Sequence, residues 1–227
     1  MDKFFNMDNK FFNFMGRLAD LCLLNIVFVV CCIPVVTIGA SLTALHYVTL
    51  KMVRNEESYI VRSFFKSFKQ NFRQATIINI IMLLLGGLLY LDLNIVNQMK
   101  NTTGHILFVV FIVFIIVYVM VFTYLYPSLA KFYNTIRQTF LNALLMSILH
   151  LPYTILMILV SAVPFAILAV PNAAIQSILL FIFIFMGFAL IAFVNGHFLV
   201  KIFDNYITKE PDENADQESS SDTPAVL

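Results

Sequence analysis

Five polar side chains sit inside or at the ends of otherwise apolar runs, where their chemistry would matter most: Asn25, His46, Asp92, Asn195 and His197. An amide or imidazole among aliphatic and aromatic neighbours must find a hydrogen-bond partner, because leaving it unpaired in an apolar medium costs several kcal/mol. That partner can be a neighbouring helix, which makes the side chain glue between helices. It can also be a polar substrate, which makes Asn25, His46 and Asn195 the lining of a path. The residues alone leave both readings open. Asp92, in Leu-Asp-Leu-Asn, lies near the end of its run and is expected either at the headgroups or facing a polar cleft. Asp20 reads as an interfacial carboxylate beside Arg17, and His150 as a group filling the backbone gap left by Pro152.

None of these residues forms a reactive constellation. There is no GxSxG, HExxH or Walker motif, and no nucleophile with an attendant base. Cys22, Cys31 and Cys32 lack zinc-site spacing and read as small packing residues. No catalytic residue, cofactor or metal is expected, and the chain is not read as an enzyme.

A second cluster lies in residues 56–73. At helical spacing Ile60, Val61, Phe64, Phe65, Phe68 and Phe72 fall within about 140° of arc, and Arg62, Lys66, Lys69 and Arg73 project opposite. A basic residue near an anionic membrane surface gains about 1 kcal/mol. Phenylalanines interleaved between apolar runs favour anionic lipid headgroups over nucleic acid as the partner of this face.

The elements that position these residues follow from composition. The chain of 227 residues is 60% hydrophobic and 12% charged, against about 25% charged in soluble domains. The lipid bilayer is therefore its first partner, and the expected fold class is all-α: a polytopic transmembrane helical bundle of about six spans, with five as the alternative. The expected spans are 16–33, 37–53, 75–96, 105–130, 143–170 and 172–201. An interfacial helix over 1–15 precedes them, an amphipathic elbow helix over 56–73 joins the second to the third, and the acidic tail 209–227 is expected to be disordered.

The second span is short and softened by Ser41, Thr43 and His46, so charge placement decides the count. Lys and Arg favour the cytoplasmic side. Six spans put 13 of the 14 basic residues inside and leave only Lys100 outside, whereas five put at best 10 inside. Both termini are then cytoplasmic, with the second span short or re-entrant. An internal similarity also appears: residues 68–75 align with 136–143, matching Lys69 with Arg137, Gln70 with Gln138, Phe72 with Phe140 and Ala75 with Ala143. Duplication and chance both account for it.

The stretches Leu23-Leu-Asn25, Cys32-Ile-Pro-Val-Val-Thr-Ile-Gly39, Ala44-Leu, Lys51 and Phe64-Phe-Lys-Ser-Phe-Lys-Gln-Asn-Phe-Arg-Gln-Ala75 resemble the YesL-like family, uncharacterised bacterial membrane proteins built around a domain of unknown function. The likeness continues more loosely over most of the chain and excludes the acidic tail. That family usually has Trp in its spans, and this chain has none. The resemblance implies a bacterial cytoplasmic membrane protein linked to carbohydrate uptake, either an accessory to components of a sugar ABC transporter or a small permease. It transfers no catalytic residues. The residues themselves support an alternative, a non-transporting structural or regulatory protein that binds a partner or anionic lipid through its elbow and tail.

Overall fold

The computed structural model of the chain describes residues 10–56, 59–99 and 101–206. The expectations for residues 1–9, for Lys100 and for the tail 209–227 lie outside these described residues. Within them all regular structure is helical.

Helix α1 (Lys10–Cys32) runs unbroken past Gly16, so the expected boundary between a lead-in helix and the first span is absent over the described part. It stops before Pro34, as the steric conflict between proline and the preceding residue requires. A 3₁₀ turn (Val35–Thr37) reverses the chain into α2 (Ile38–Val53). The reversal frees carbonyls, and side chains take them up. Thr37 Oγ1 reaches Cys31 O at 2.6 Å and Pro34 O at 2.7 Å, Asn79 Nδ2 donates to Val35 O at 3.2 Å, and Thr76 Oγ1 lies 3.5 Å from Val36 O.

Helix α3 spans Ile60–Asn97, 38 residues. At 1.5 Å per residue it is about 57 Å long, well beyond the roughly 30 Å hydrocarbon core. The basic segment and the third span are therefore one helix, where the spacing had suggested an elbow over 56–73 joined to a span from 75. The physical reason is local: no Pro or Gly occurs between Ile60 and Leu85, so nothing breaks the hydrogen-bond ladder there.

Helix α4 (Thr102–Lys131) is capped by Asn101, whose Oδ1 accepts from Gly104 N at 3.0 Å. The expected fifth span, 143–170, is divided in the structure. Helix α5 (Ile136–Leu149) starts on a capping box between Thr135 and Gln138 and ends at His150. Helix α6 (Leu151–Ser161) and α7 (Val163–Leu168) follow, each with a proline in its first turn. Pro152 and Pro164 set these boundaries because each removes a backbone donor. Both flanks of α5 meet the end of the last helix: Phe132 packs edge-on against Phe203 at 5.2 Å between ring centres, and His150 shares a 3.2 Å hydrogen bond with Tyr206. At about 21 Å, α5 is itself too short to cross the roughly 30 Å hydrocarbon core.

The last crossing consists of α8 (Ala173–Ile182), a π-helical turn (Phe183–Gly187) and α9 (Phe188–Phe203). Among the described residues six helical stretches are long and apolar enough to cross a membrane: Phe14–Cys32, Val35–Val53, Ile60–Asn97, Thr102–Lys131, Leu151–Leu168 and Ala173–Phe203.

Helix α2 holds the centre. Small residues line it (Gly39, Ala40, Ser41, Ala44), and small residues meet it: Ala75 on α3, and Ala189, Ala192 and Gly196 on α9. Without a hydrophobic drive between helices in lipid, such close backbone approach is what makes dispersion contacts effective.

Candidate functional site

The sequence-derived polar residues separate into occupied clamps and two incompletely paired positions. Asn25 is fully buried. Its Nδ2 donates to Ile184 O at 2.6 Å and its Oδ1 accepts from Ala189 N at 2.8 Å. The acceptor and donor it takes are five residues apart, Ile184 within the π-helical turn and Ala189 in the first turn of α9. The side-chain amide has thus entered the backbone ladder of the last span and satisfied both groups that the bulge opens. Gly187 belongs to the same device: a Cβ there would lie 2.1 Å from the Phe183 ring.

Sequence reasoning missed a second clamp. Asn79 is buried on α3, donates to Val35 O and accepts from Tyr126 Oη at 3.1 Å. It ties the α1–α2 corner to α3 and α4. The signal was present, an Asn within Thr-Ile-Ile-Asn-Ile-Ile, but it stood too close to the basic segment to read as intramembrane. A third tie joins Tyr124 to Thr154 at 3.0 Å, and Thr154 Oγ1 also lies within hydrogen-bonding distance of Ser147 O and His150 O. Near the middle of α3 and α4, Tyr118 donates to Met82 O at 3.1 Å.

Asn195 Nδ2 donates to Ser161 Oγ at 3.1 Å, joining α9 to α6, while its buried Oδ1 has no partner among the described residues. His46 on α2 likewise keeps its buried Nδ1 unpaired. His197 is exposed, with Nδ1 3.0 Å from Phe193 O, so it does not join them. Asp92 is half-buried near the far end of α3. Arg17 pairs with Asn55 and not with Asp20. Among the described residues no group of three or more His, Cys, Asp or Glu could hold a metal ion.

The basic residues occupy a different place. Arg62, Lys66, Lys69 and Arg73 are all exposed along the first turns of α3, and none makes an ion pair or hydrogen bond with a described residue. The opposite face is held by the bundle in part: Ile60 and Phe64 are buried against α2 and Phe64 and Phe68 stack at 6.1 Å, while Val61, Phe65 and Phe72 stay exposed. Gln70 Nε2 donates to Tyr133 Oη at 2.8 Å and Gln74 Nε2 to Asn134 O at 2.7 Å, which fastens the α4–α5 link to this part of α3. Arg54 forms an ion pair with Asp204 at the same end. The two similar segments share one core: Ala75 and Ala143 are fully buried in it and Phe68 and its counterpart Ile136 pack against it, whereas Phe140 packs there and its counterpart Phe72 is exposed. Their contexts differ, since 68–75 lies within α3 and 136–143 opens α5.

Residues 21–93, covering most of α1, all of α2 and nearly all of α3, match the family described as "Protein of unknown function, DUF624". The match contains both stretches that carry the family resemblance in the sequence, 34–39 and 64–75. Over 161 residues the chain is 25% identical to the "Uncharacterized protein YteU" of Bacillus subtilis (strain 168), covering 70% of this chain and 72% of that protein. No solved structure matches the chain.

Proposed function

We propose that this protein is a multi-pass protein of the bacterial cytoplasmic membrane, with both termini in the cytoplasm, that serves carbohydrate uptake as an accessory to a sugar ABC transporter. Its working surface is the basic face of α3, which meets anionic lipid headgroups and a membrane partner. One observation carries this reading: four cationic side chains in register stand exposed, without a partner among the described residues, on a helix whose Ile60 and Phe64 are buried in the bundle. An unpaired basic stripe at the end of a membrane helix gains free energy from an anionic surface and gives little to the fold. The carbohydrate link comes from the family resemblance.

The experiment has two arms. Loss of the gene is expected to lower uptake of a sugar handled by a neighbouring ABC system, and unchanged uptake of every such sugar overturns the link. Lys66→Glu with Lys69→Glu is expected to leave the protein folded and to abolish both the enrichment of phosphatidylglycerol around it and the copurification of its partner. Retention of both overturns the role of α3. Reporter fusions after Asp8 and Ser58 are expected to report cytoplasm, and an outside signal at Asp8 overturns the orientation.

A small permease is the second reading. Asn195 Oδ1 and His46 Nδ1, buried and unpaired, favour it. Substrate-dependent uptake by the purified protein in vesicles, lost in Asn195→Leu, would establish it.

A further inference from the structure

The near-neutral total charge of the chain, +1, hides a division. The segment after Tyr206 contains Glu210, Asp212, Glu213, Asp216, Glu218 and Asp222 against Lys209 alone, while the rest of the chain is strongly basic. The structure fixes where that segment begins. Asp204, directly after α9, is ion-paired to Arg54 at the start of the connection into α3. The Phe203 ring packs on Phe132, the next residue Tyr133 accepts from Gln70, and Gln70 lies between Lys69 and Arg73. Only a few side-chain contacts therefore separate the root of the acidic segment from the middle of the basic stripe.

We propose that the acidic segment 207–227 of this same chain docks on the Arg62–Lys66–Lys69–Arg73 face of α3, competing there with anionic headgroups and so regulating how firmly that face holds the membrane. Reach and charge both allow it. From Arg62 to Arg73 the stripe is about 16 Å long. Twenty-one residues extend to at most about 70 Å, so the segment can lie along the whole stripe without displacing α9. The carboxylates outnumber the four cations they would meet, and none of those cations is occupied by another described side chain. The contact draws on the stripe that the proposed function assigns to lipid, but it does not require lipid to bind.

The test uses the full chain in nanodiscs, with a photo-crosslinking amino acid at Gln217. In neutral phosphatidylcholine at low salt, crosslinks are expected on the peptide containing Lys66 and Lys69. They should be lost in Lys66→Glu/Lys69→Glu and in 0.5 M salt, since about 8–10 Å of Debye screening at ordinary ionic strength shrinks to a few Å at high salt. Including phosphatidylglycerol should reduce them. Crosslinks elsewhere, or unchanged by charge reversal, overturn the contact, as do crosslinks that join two differently tagged copies. A second variant reads the regulation: Asp212→Asn, Glu213→Gln, Asp216→Asn and Glu218→Gln together should raise phosphatidylglycerol per protein about fivefold, the ratio that a few exposed ion pairs sustain. An unchanged ratio overturns the competition. The two proposals fail separately. Crosslinks without lipid enrichment remove the lipid role and keep the contact, and lipid enrichment without crosslinks does the reverse.

Discussion

Helix α4 and the stretch Val35–Val53 that contains α2 are both long and apolar enough to cross a membrane, and they are built on opposite terms. Of the most apolar window of α4, 6% of residues are buried inside the protein, whereas in α2 the figure is 56%. Helix α4 carries Ile106, Val109, Val113, Phe114 and Ile116 on exposed surface, while α2 turns Ala40, Ser41, Thr43, Ala44 and Thr49 into the interior. The helix that hydropathy ranks first is thus the one most exposed, and the one it ranks last is the centre of the fold. Lipid selects for bulky apolar side chains, and a helix enclosed by other helices is selected for closeness. In α2 closeness comes from small and hydroxyl-bearing residues; the threonines bond locally, Thr43 Oγ1 to Gly39 O at 2.9 Å and Thr49 Oγ1 to His46 O at 3.2 Å, while Ser41 Oγ is buried with no partner among the described residues.

The comparison breaks first at the clamp on the last span. Asn25→Leu removes an acceptor and a donor at once, leaving Ala189 N–H and Ile184 C=O unpaired in an apolar interior. Each orphaned group costs about 1–3 kcal/mol, and intramembrane hydrogen bonds measure toward the low end because the unfolded chain also finds partners. The expected loss is about 2–4 kcal/mol. Thermal unfolding in detergent, followed by a thiol-reactive dye on the free cysteines Cys22, Cys31 and Cys32, should show a clearly lowered midpoint. A midpoint equal to wild type would mean that the bulge closes into a regular α-helix without Asn25.

Much of this was legible in the sequence, and the exceptions have causes. The six apolar stretches could be read from composition, and the end of α1 from Pro34. Asn25 could be recognised as a group in need of a partner, but its partner could not. No residue pattern in Phe-Ile-Phe-Met-Gly announces a π-helical turn, because a backbone group it opens is satisfied by an amide from 159 residues away. Asn79 was hidden by its neighbours. The continuity of α3 was obscured by a change of solvent partway along: amphipathic periodicity gives way to uniform apolarity near Ala75, which looks like a boundary although the backbone ladder continues through it. The division of 143–170 was marked by Pro152 and Pro164, but their consequence depended on Phe132 and His150, which flank α5, meeting Phe203 and Tyr206 at the end of the last helix, a tertiary fact.

A smaller effect sharpens the comparison on α2 itself. A Cβ on Gly39 would lie 2.5 Å from Ala75 O and 2.7 Å from Asn79 Cβ. The first of these is backbone, which cannot swing aside, so Gly39→Val must push α2 away from α3. Overpacking of this kind costs about 1–3 kcal/mol, and the shift should also loosen the Asn79–Val35 bond at the corner. Asn79→Ala removes that bond together with the one from Tyr126 Oη, at about 1–3 kcal/mol, so a Gly39→Val that costs nothing further in an Asn79→Ala background would assign the whole effect to the corner and none to helix separation.

The smallest effect belongs on α4. Val113 is 55% exposed on its lipid-facing surface, so Val113→Leu exchanges one apolar surface for another and should change the unfolding midpoint by the equivalent of at most about 0.5 kcal/mol. The same exchange at Val48, fully buried on α2, adds a methylene where no space exists and should cost about 1 kcal/mol or more. The pair holds chemistry constant and varies only the environment. If both variants unfold alike, burial by neighbouring helices does not separate α2 from α4, and the assignment of α2 to the centre of the fold fails. If Val48→Leu alone is destabilised, tight packing around α2 holds the bundle together, and the exposed face of α4 is free to vary with the lipid.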